Sequence, residues 1–330
     1  MIKFEDMNRE NPLENIDIVY TWVDGSNEEW NKLKLETQKA LNIYDESTYD
    51  CRFINVDELK YSLRSVEKYA NWVKNVYIVV DGMCPSWLNT DNPRVHMVEL
   101  KSIMPKDALP CFNSNAIEHC LINIPNLSEY FLYSNDDSFI NDYVTPEFFF
   151  KKSKPIYRYN RRYKKGESFY STFLINSEEL IFKKYGKLYD RHPHHCIDPY
   201  VKSDMEKCYK LFKEEIDKTI HSPFRRNTDI QRSIYAGYAL ATGKGCYKKV
   251  SRVDKYLALP VRIYNSIRKI YKKDSQYMAI SSIENVEYLL NKFHPALFCI
   301  NDDEKAIDEQ RLEMKTLLEN MYPQKSQFEK

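Results

Sequence analysis

At 330 residues the chain is long enough for one large α/β core, or for two smaller ones sharing a cleft. Its 49 Lys and Arg against 48 Asp and Glu leave a formal charge of +1, which excludes a global electrostatic footprint for nucleic acid, so any polyanion site has to be local. The eight cysteines form no CxxC pair and follow no secretory signal, which points to reduced thiols and a cytoplasmic compartment, and no stretch reaches the roughly 18 apolar residues of a membrane span.

In chain order, residues 16–23 (IDIVYTWV) are an apolar, β-branched run stopped by Asp24-Gly25, and read as a buried first strand. Ser26 and Glu29 have capping-box spacing, and Trp30, Leu33 and Ala40 or Leu41 recur near helical spacing behind them. A second helix is expected over 56–70, where Leu59, Leu63, Val66 and Ala70 form a stripe, followed by a strand at 75–82. Further on come a strand at 95–100, a helix at 114–123 and a strand at 129–137 that ends in carboxylates. Alternation of this kind predicts a Rossmann-like, mostly parallel sheet flanked by helices.

Segment 151–177 is basic and Tyr-rich without helical period, and reads as a hairpin or flap over the cleft. Helices are expected at 199–217, 229–241 and 281–291, a strand at 296–302 that again delivers an Asp, and an amphipathic helix at 303–321. The expected organisation is an α/β half over 1–150, a basic flap over 151–186, and a mostly helical part over 187–330 that returns the strand at 296–302 to the site. Residues 261–273 have Ile263, Ile267 and Ile270 on one helical face and Arg268, Lys269, Lys272 and Lys273 on the other. With Arg161, Arg162, Lys164 and Lys165 they suggest a surface for an anionic polymer or membrane, against the plainer reading of a solvated basic face.

Three strand-like runs end in acids: Asp24, Asp136-Asp137 and Asp302-Asp303. Ligands of open α/β sheets sit beyond the carboxyl ends of strands, so these acids are expected to converge. Converging carboxylates suit Mg²⁺ or Mn²⁺, which leave coordination positions for water and phosphate oxygens. Turn acids and helix caps remain the plainer explanation of any one of them. Glu118 follows Asn115 by one helical turn and is open to reading as ligand, base or surface acid. The run Arg191-His192-Pro193-His194-His195-Cys196 matches no zinc spacing and better suits phosphate recognition or proton transfer. Arg225-Arg226 offers guanidinium forks for phosphate. Only seven glycines are present, with neither GxGxxG nor GxxxxGK[ST], so phosphates have to be held by metal, arginine and isolated amides.

Taken together, IDIVYTWVDG (16–25), the long segment 52–89, FNSNAIEHC (112–120) and YFLYSNDD (130–137) resemble the first two conserved regions of the Stealth family. RHPHHCID (191–198) with FRRNTDIQ (224–231), and FCINDD (298–303), resemble its third and fourth. That family holds bacterial capsule phosphotransferases and the animal enzyme that places N-acetylglucosamine-1-phosphate on lysosomal glycoproteins. The resemblance implies a GT-A-like fold and a divalent metal, Mg²⁺ or Mn²⁺. It implies a UDP- or CDP-linked sugar as donor, a glycan or capsular polysaccharide as acceptor, and peripheral association with the inner membrane or capsule assembly machinery. It implies Glu118, Asp137 and Asp302 as active-site acids, with metal at Asp137 and Asp302, and His192 and Arg225 as catalytic groups. The His-x-Pro of the family is here His192-Pro193-His194, one residue shorter, so His194 and His195 stand as alternatives. Trp22, Asp24, Arg64 and Asn115, within the matched segments, are assigned to donor binding, with Asp136 and Asp303 as further acids. The reaction so implied is transfer of a hexose-1-phosphate with release of a nucleoside monophosphate. The alternatives are a glycosyltransferase attacking the anomeric carbon, a non-catalytic scaffold, and a phosphodiesterase.

Overall fold

The structure is a computed structural model that describes residues 13–164, 166–250 and 273–330. Strand β1 (Ile16–Thr21) leads to helix α1 (Glu28–Leu41), then α2 (Glu58–Tyr69), β2 (Val76–Val80), β3 (Val95–Glu99), α3 (Ser114–Cys120) and β4 (Tyr130–Asn135). Next come β5 (Ser138–Ile140), β6 (Phe150–Lys151), β7 (Lys154–Arg162), α4 (Phe169–Tyr185), β8 (Arg191–Pro193) and β9 (Asp198–Val201). The chain continues through α5 (Lys202–Leu211), α6 (Ser233–Ala241), β10 (Cys246–Lys249), β11 (Ser275–Ala279), β12 (Leu297–Asn301) and α7 (Asp308–Met321).

Among the described residues the main sheet has the order β3-β2-β1-β4-β9. Its first four strands are parallel and β9 closes the edge antiparallel to β4. The expectation of an α/β fold with a mostly parallel sheet is met. Period-two alternation sends Ile16, Ile18 and Tyr20 into one core with Leu59, Leu63 and Val66 of α2, while Val19 faces the other core with Tyr77, Phe131 and Tyr133. The chain runs outward from β1 to β2 and β3, then crosses back to β4, so the order reverses between β1 and β4. At such a switch point the carboxyl ends of neighbouring strands leave a crevice. β9 comes from the chain beyond residue 187, which is therefore built into the same sheet as the first half.

Several local expectations are corrected. The cap of α1 is Asn27, whose side chain accepts from the Trp30 amide at 3.0 Å, not Ser26. Ser26 is instead spent on Asp24, donating to its Oδ1 from both backbone (3.0 Å) and hydroxyl (2.6 Å). Segment 151–177, expected as a hairpin or flap, begins with a tight hairpin that joins β6 to β7, but the remainder is not a flap. Strand β7 buries Tyr157, Arg158 and Tyr159 between β6, β8 and β10, and the second part of the segment opens α4, capped by Ser168. Phe173, Ser177 and Ile181, spaced by four, form its buried stripe, which the surrounding basic and aromatic residues obscure. The helix expected at 199–217 begins only after β9. The basic helix expected over 261–273 lies outside the described residues but for Lys273, as does Lys165.

Asp302 does not arrive on the main sheet. β12 pairs parallel with β11 and antiparallel with β5, making a separate sheet over Phe139, Phe298, Ile300, Met314 and Leu318. The C-terminal segment is pinned by Arg64, a residue expected at the donor. Its guanidinium donates to both Glu329 oxygens at 2.9 Å, to Glu319, and to the Tyr322 carbonyl at 2.7 Å, and it does not line the cleft. Removing one partner of a buried, hydrogen-bonded pair costs about 3 kcal/mol or more, because the other charge stays buried without compensation. Arg64→Ala is therefore expected to lower stability by about that amount in urea unfolding, while leaving nucleotide binding by the folded protein within about twofold; a donor-binding loss without destabilisation would contradict this role.

Candidate active site

Thr21 and Asn135 are the last partners in the β1–β4 register, and both line a cleft of ≈ 350 Å³. Beyond Asn135 the chain turns through Asp136 and Asp137 into β5, which hands the register to β12 and so to Asn301, Asp302 and Asp303. Two sheets thus supply one acidic wall. The Asp137 carbonyl accepts from the Ile300 amide at 3.1 Å, and its Oδ2 accepts from Asn301 Nδ2 at 3.1 Å and from the Cys299 thiol at 3.3 Å. Asp302 is gripped by Arg311 of α7, with Nε at 2.7 Å from Oδ2 and Nη2 at 3.1 Å from Oδ1. Asp303 accepts from the Ser281 and Lys305 amides. The same cleft is lined by aromatic rings, Trp22, Trp30, Tyr49, Phe53 and Phe112, and by Arg52 and Arg225.

The acidic wall is crowded. Loss of hydration, and then the charge of Asp137, push Asp136 up to about 7, and buried Glu58 beside it is pushed well up by desolvation and by Asp136. The Val56 amide, at 2.7 Å, and the backbone amide of Glu58 itself compensate the carboxylate in part. A wall of hard oxygen donors whose like charges repel fits a divalent cation such as Mg²⁺ or Mn²⁺, which relieves that repulsion. A second grouping places ligand atoms of Asp137, His195 and Cys299 within 4.8 Å of one another. There burial and Asp137 push the Cys299 thiol well up, so its sulfur acts as a hydrogen-bond donor to Asp137 and not as a thiolate ligand. Burial lowers the His195 pKa and favours the neutral imidazole, with rings of Tyr170 and Tyr277 edge-on to it.

Behind the wall runs a buried chain of ions. Glu118 Oε1 accepts from Arg232 Nη1 at 3.0 Å and from Tyr133 at 3.2 Å, and Arg232 Nη2 reaches Asp198 at 3.1 Å. Asp198 meets His194 Nε2 at 3.0 Å, and His194 Nδ1 meets Ser275 at 3.0 Å. Burial alone raises Asp198, but His194 and Arg232 outweigh it and hold the carboxyl below its ordinary value. Glu118 Oε2 and Asn115 Nδ2, one helical turn apart on α3, are buried without a partner among the described residues.

Of the residues expected at the site, Trp22, Asp136, Asp137, Arg225, Asp302 and Asp303 line the cleft together. Glu118 and Asn115 stand behind it and His195 beside Asp137. Asp24 is turned onto Ser26, His194 belongs to the buried chain, and His192 lies on β8 with Nε2 3.5 Å from Glu167, so none of these three lines the cleft. Sequence reasoning missed Arg52, Glu58, Arg232 and Arg311. Glu58 looks like an ordinary first-turn acid, and nothing local distinguishes the arginines: the partners of Arg232 lie 34 and 114 residues away, while Arg52 and Arg311 have nearby partners of a kind any surface arginine finds.

The profiles described as Stealth protein CR1, conserved region 1, and Stealth protein CR2, conserved region 2, match residues 14–40 and 52–157. The capsular polysaccharide phosphotransferase fcs1 of Haemophilus influenzae is 34% identical over 297 residues, covering 87% of this chain and 78% of that protein. The chain belongs to the Stealth family. The exopolysaccharide phosphotransferase CpsY of Mycobacterium tuberculosis is 33% identical over 269 residues, 77% of this Stealth chain and 50% of CpsY, so the alignment spans only half of that relative. The solved galactosyltransferase LgtC, in complex with donor and acceptor sugar analogs, superposes with a TM-score of 0.42 at 10% identity, over 94% of this chain and 98% of LgtC, a likeness too loose to build on.

The Asp136 carboxyl sets a pH dependence. Its folded pKa is raised, so between about pH 4 and pH 7 the folded chain keeps a proton that the unfolded chain gives up, and the stability this contributes is lost as pH rises through about 7. In chelator, the fall in melting temperature from about pH 5 to about pH 8 is expected to be smaller for Asp136→Asn than for the natural chain. Identical pH profiles for the two proteins would show that Asp136 is not held protonated.

Proposed function

We propose that this Stealth chain transfers a hexose-1-phosphate, or an N-acetylhexosamine-1-phosphate, from a UDP- or CDP-linked sugar to a glycan hydroxyl in capsule or cell-surface polysaccharide synthesis. The observation that carries the reading is that one cleft is lined together by carboxylates (Asp136, Asp137, Asp302, Asp303), by Arg52 and Arg225, and by aromatic rings able to hold a base. The names of the relatives, capsular and exopolysaccharide phosphotransferases, agree with it. The proposed place of action is cytoplasmic, peripheral to the inner membrane or the assembly machinery. No helix among the described residues is long and apolar enough to cross a membrane.

In the proposed reaction the acceptor oxygen forms a bond to the β-phosphorus while the bond from that phosphorus to the bridging oxygen breaks, so a nucleoside monophosphate leaves and the sugar C1–O bond survives. Phosphoryl-type transfer requires in-line positioning and neutralisation of charge more than covalent chemistry from the protein. Asp137 and Asp302 would hold a divalent ion, Mg²⁺ or Mn²⁺, which supplies charge neutralisation for the diphosphate when bound. Arg311 occupies part of the Asp302 carboxylate and leaves each oxygen a further lone pair for that role. Arg225 holds the transferred phosphate. The acceptor proton passes to His195, kept neutral by burial beside Asp137, or to the free Oε2 of Glu118. Tyr133 and Arg232 fix the other oxygen of Glu118 and so orient the free one.

Chelator is expected to abolish turnover and Mg²⁺ or Mn²⁺ to restore it, and Asp137→Asn and Asp302→Asn each to lower kcat by about a hundredfold. Full turnover in chelator would remove the metal from this reading. With candidate UDP- and CDP-sugars and a short glycan, ³¹P spectra are expected to show a phosphodiester in the glycan together with UMP or CMP. Stoichiometric UDP or CDP and a phosphorus-free glycan would mean attack at the anomeric carbon instead.

A further inference from the structure

Arg225 faces the cleft with a single neutral hydrogen-bond partner, the Ser114 hydroxyl at 2.5 Å, and no acidic side chain pairs with it among the described residues. Arg52 lines the same cleft, is exposed, and gives its Nε to the Glu46 carbonyl, again with no acidic partner among the described residues. The two guanidinium groups stand near enough that Arg52, after loss of hydration, helps bring Arg225 down to about 10. Glu118 acts on Arg225 in the opposite sense but makes no hydrogen bond to it among the described residues, so an anion in the cleft has both guanidinium groups available to it.

The segment carrying Arg52 is built to stay in place. Asp45 accepts from the Ser47 amide at 2.9 Å, Asp50 pairs with buried Lys34 of α1 at 2.7 Å, and the Phe53 ring packs against Trp30 with centroids 5.3 Å apart. The Gly25 amide donates to the Phe53 carbonyl at 2.8 Å, and a Cβ on Gly25 would come within 2.7 Å of that oxygen, so only glycine allows the segment to sit this close to the exit of β1. With the backbone of the segment already held, only the side chain of Arg52 remains to be ordered on binding.

We propose that Arg52 is a second phosphate-binding residue, which with Arg225 clamps the diphosphate of a nucleoside diphosphate or nucleotide-sugar in the cleft that both line with the carboxylates. The base then lies in the aromatic compartment by Trp30, Tyr49 and Phe53. The proposal rests on the nucleotide-sugar reading, and its test separates the two. Uridine, UMP and UDP, with the cytidine series in parallel, are titrated calorimetrically into the natural full chain, Arg52→Gln and Arg52→Lys in the presence of Mg²⁺. One charge-assisted contact corresponds to about a tenfold to hundredfold change in affinity. Arg52→Gln is expected to weaken diphosphate binding by at least about tenfold and nucleoside binding by less than about twofold, with Arg52→Lys between, since lysine keeps the charge and loses the fork. Diphosphate binding by Arg52→Gln within about twofold of the natural chain overturns the clamp and leaves the donor reading standing, as does an equal loss of nucleoside and diphosphate, which would mean collapse of the segment. Failure of the natural chain to bind either diphosphate overturns the donor reading, and the clamp with it.

Discussion

The architecture hangs on one turn. At Asp136 and Asp137 the parallel sheet ends and the small β5–β12 sheet begins, and Asp137 is bonded to β12 through its carbonyl, to Ile300, and through its carboxylate, to Asn301 and Cys299. Backbone pairing aligns the strands to within a residue, so the same bonds that join two sheets also set where Asp302 and Asp303 emerge. A single segment is therefore both hinge pin and wall of the cleft. Its carboxylates repel one another, and their crowding is an unfavourable term that the apolar packing of both sheets has to outweigh.

Around that wall the molecule arranges charge in alternation. Glu118, Arg232, Asp198 and His194 form an unbroken buried sequence of acid, base, acid and imidazole reaching from α3 under the main sheet to Ser275 of the small one. Such a network stabilises little compared with apolar packing of the same volume, but each member fixes the rotamer of the next. Glu118 can thus hold one oxygen bonded and the other free. The cleft breaks the alternation: Arg52 and Arg225 have no acidic hydrogen-bond partner among the described residues, a local feature that the nearly neutral total charge of the chain conceals.

What the sequence discloses follows from range. The strands of the parallel sheet are legible because both faces are buried and their β-branched runs are uninterrupted, as in IDIVYT and VYIVV. Convergence of Asp136-Asp137 with Asp302-Asp303 is legible because strand ends meet at a switch point, even though Asp302 comes by a second sheet that no local pattern announces. Asp24 is misjudged since a hydroxyl two residues away satisfies it first. Arg64 is misjudged because its partners lie 255 to 265 residues further on, beyond the reach of periodicity. His192 and His195 cannot be separated by spacing, since what divides them is which sheet each faces: His192 meets Glu167 next to β8, and His195 meets Asp137.

The junction of Asp137 with Asn301 spans 164 residues of chain. Contacts of such separation carry a loop-closure cost and form late, so the parallel sheet is able to gather before the small sheet has both of its partners. On a ribosome, β4 and its acidic turn emerge while β12 is still unmade, and the carboxylate wall is completed only once the chain has passed Asn301, 164 residues beyond Asp137. A nascent chain thus carries half of the wall until the segment bearing Asp302 and Asp303 has emerged and, with Glu319 and Glu329, has closed on Arg64.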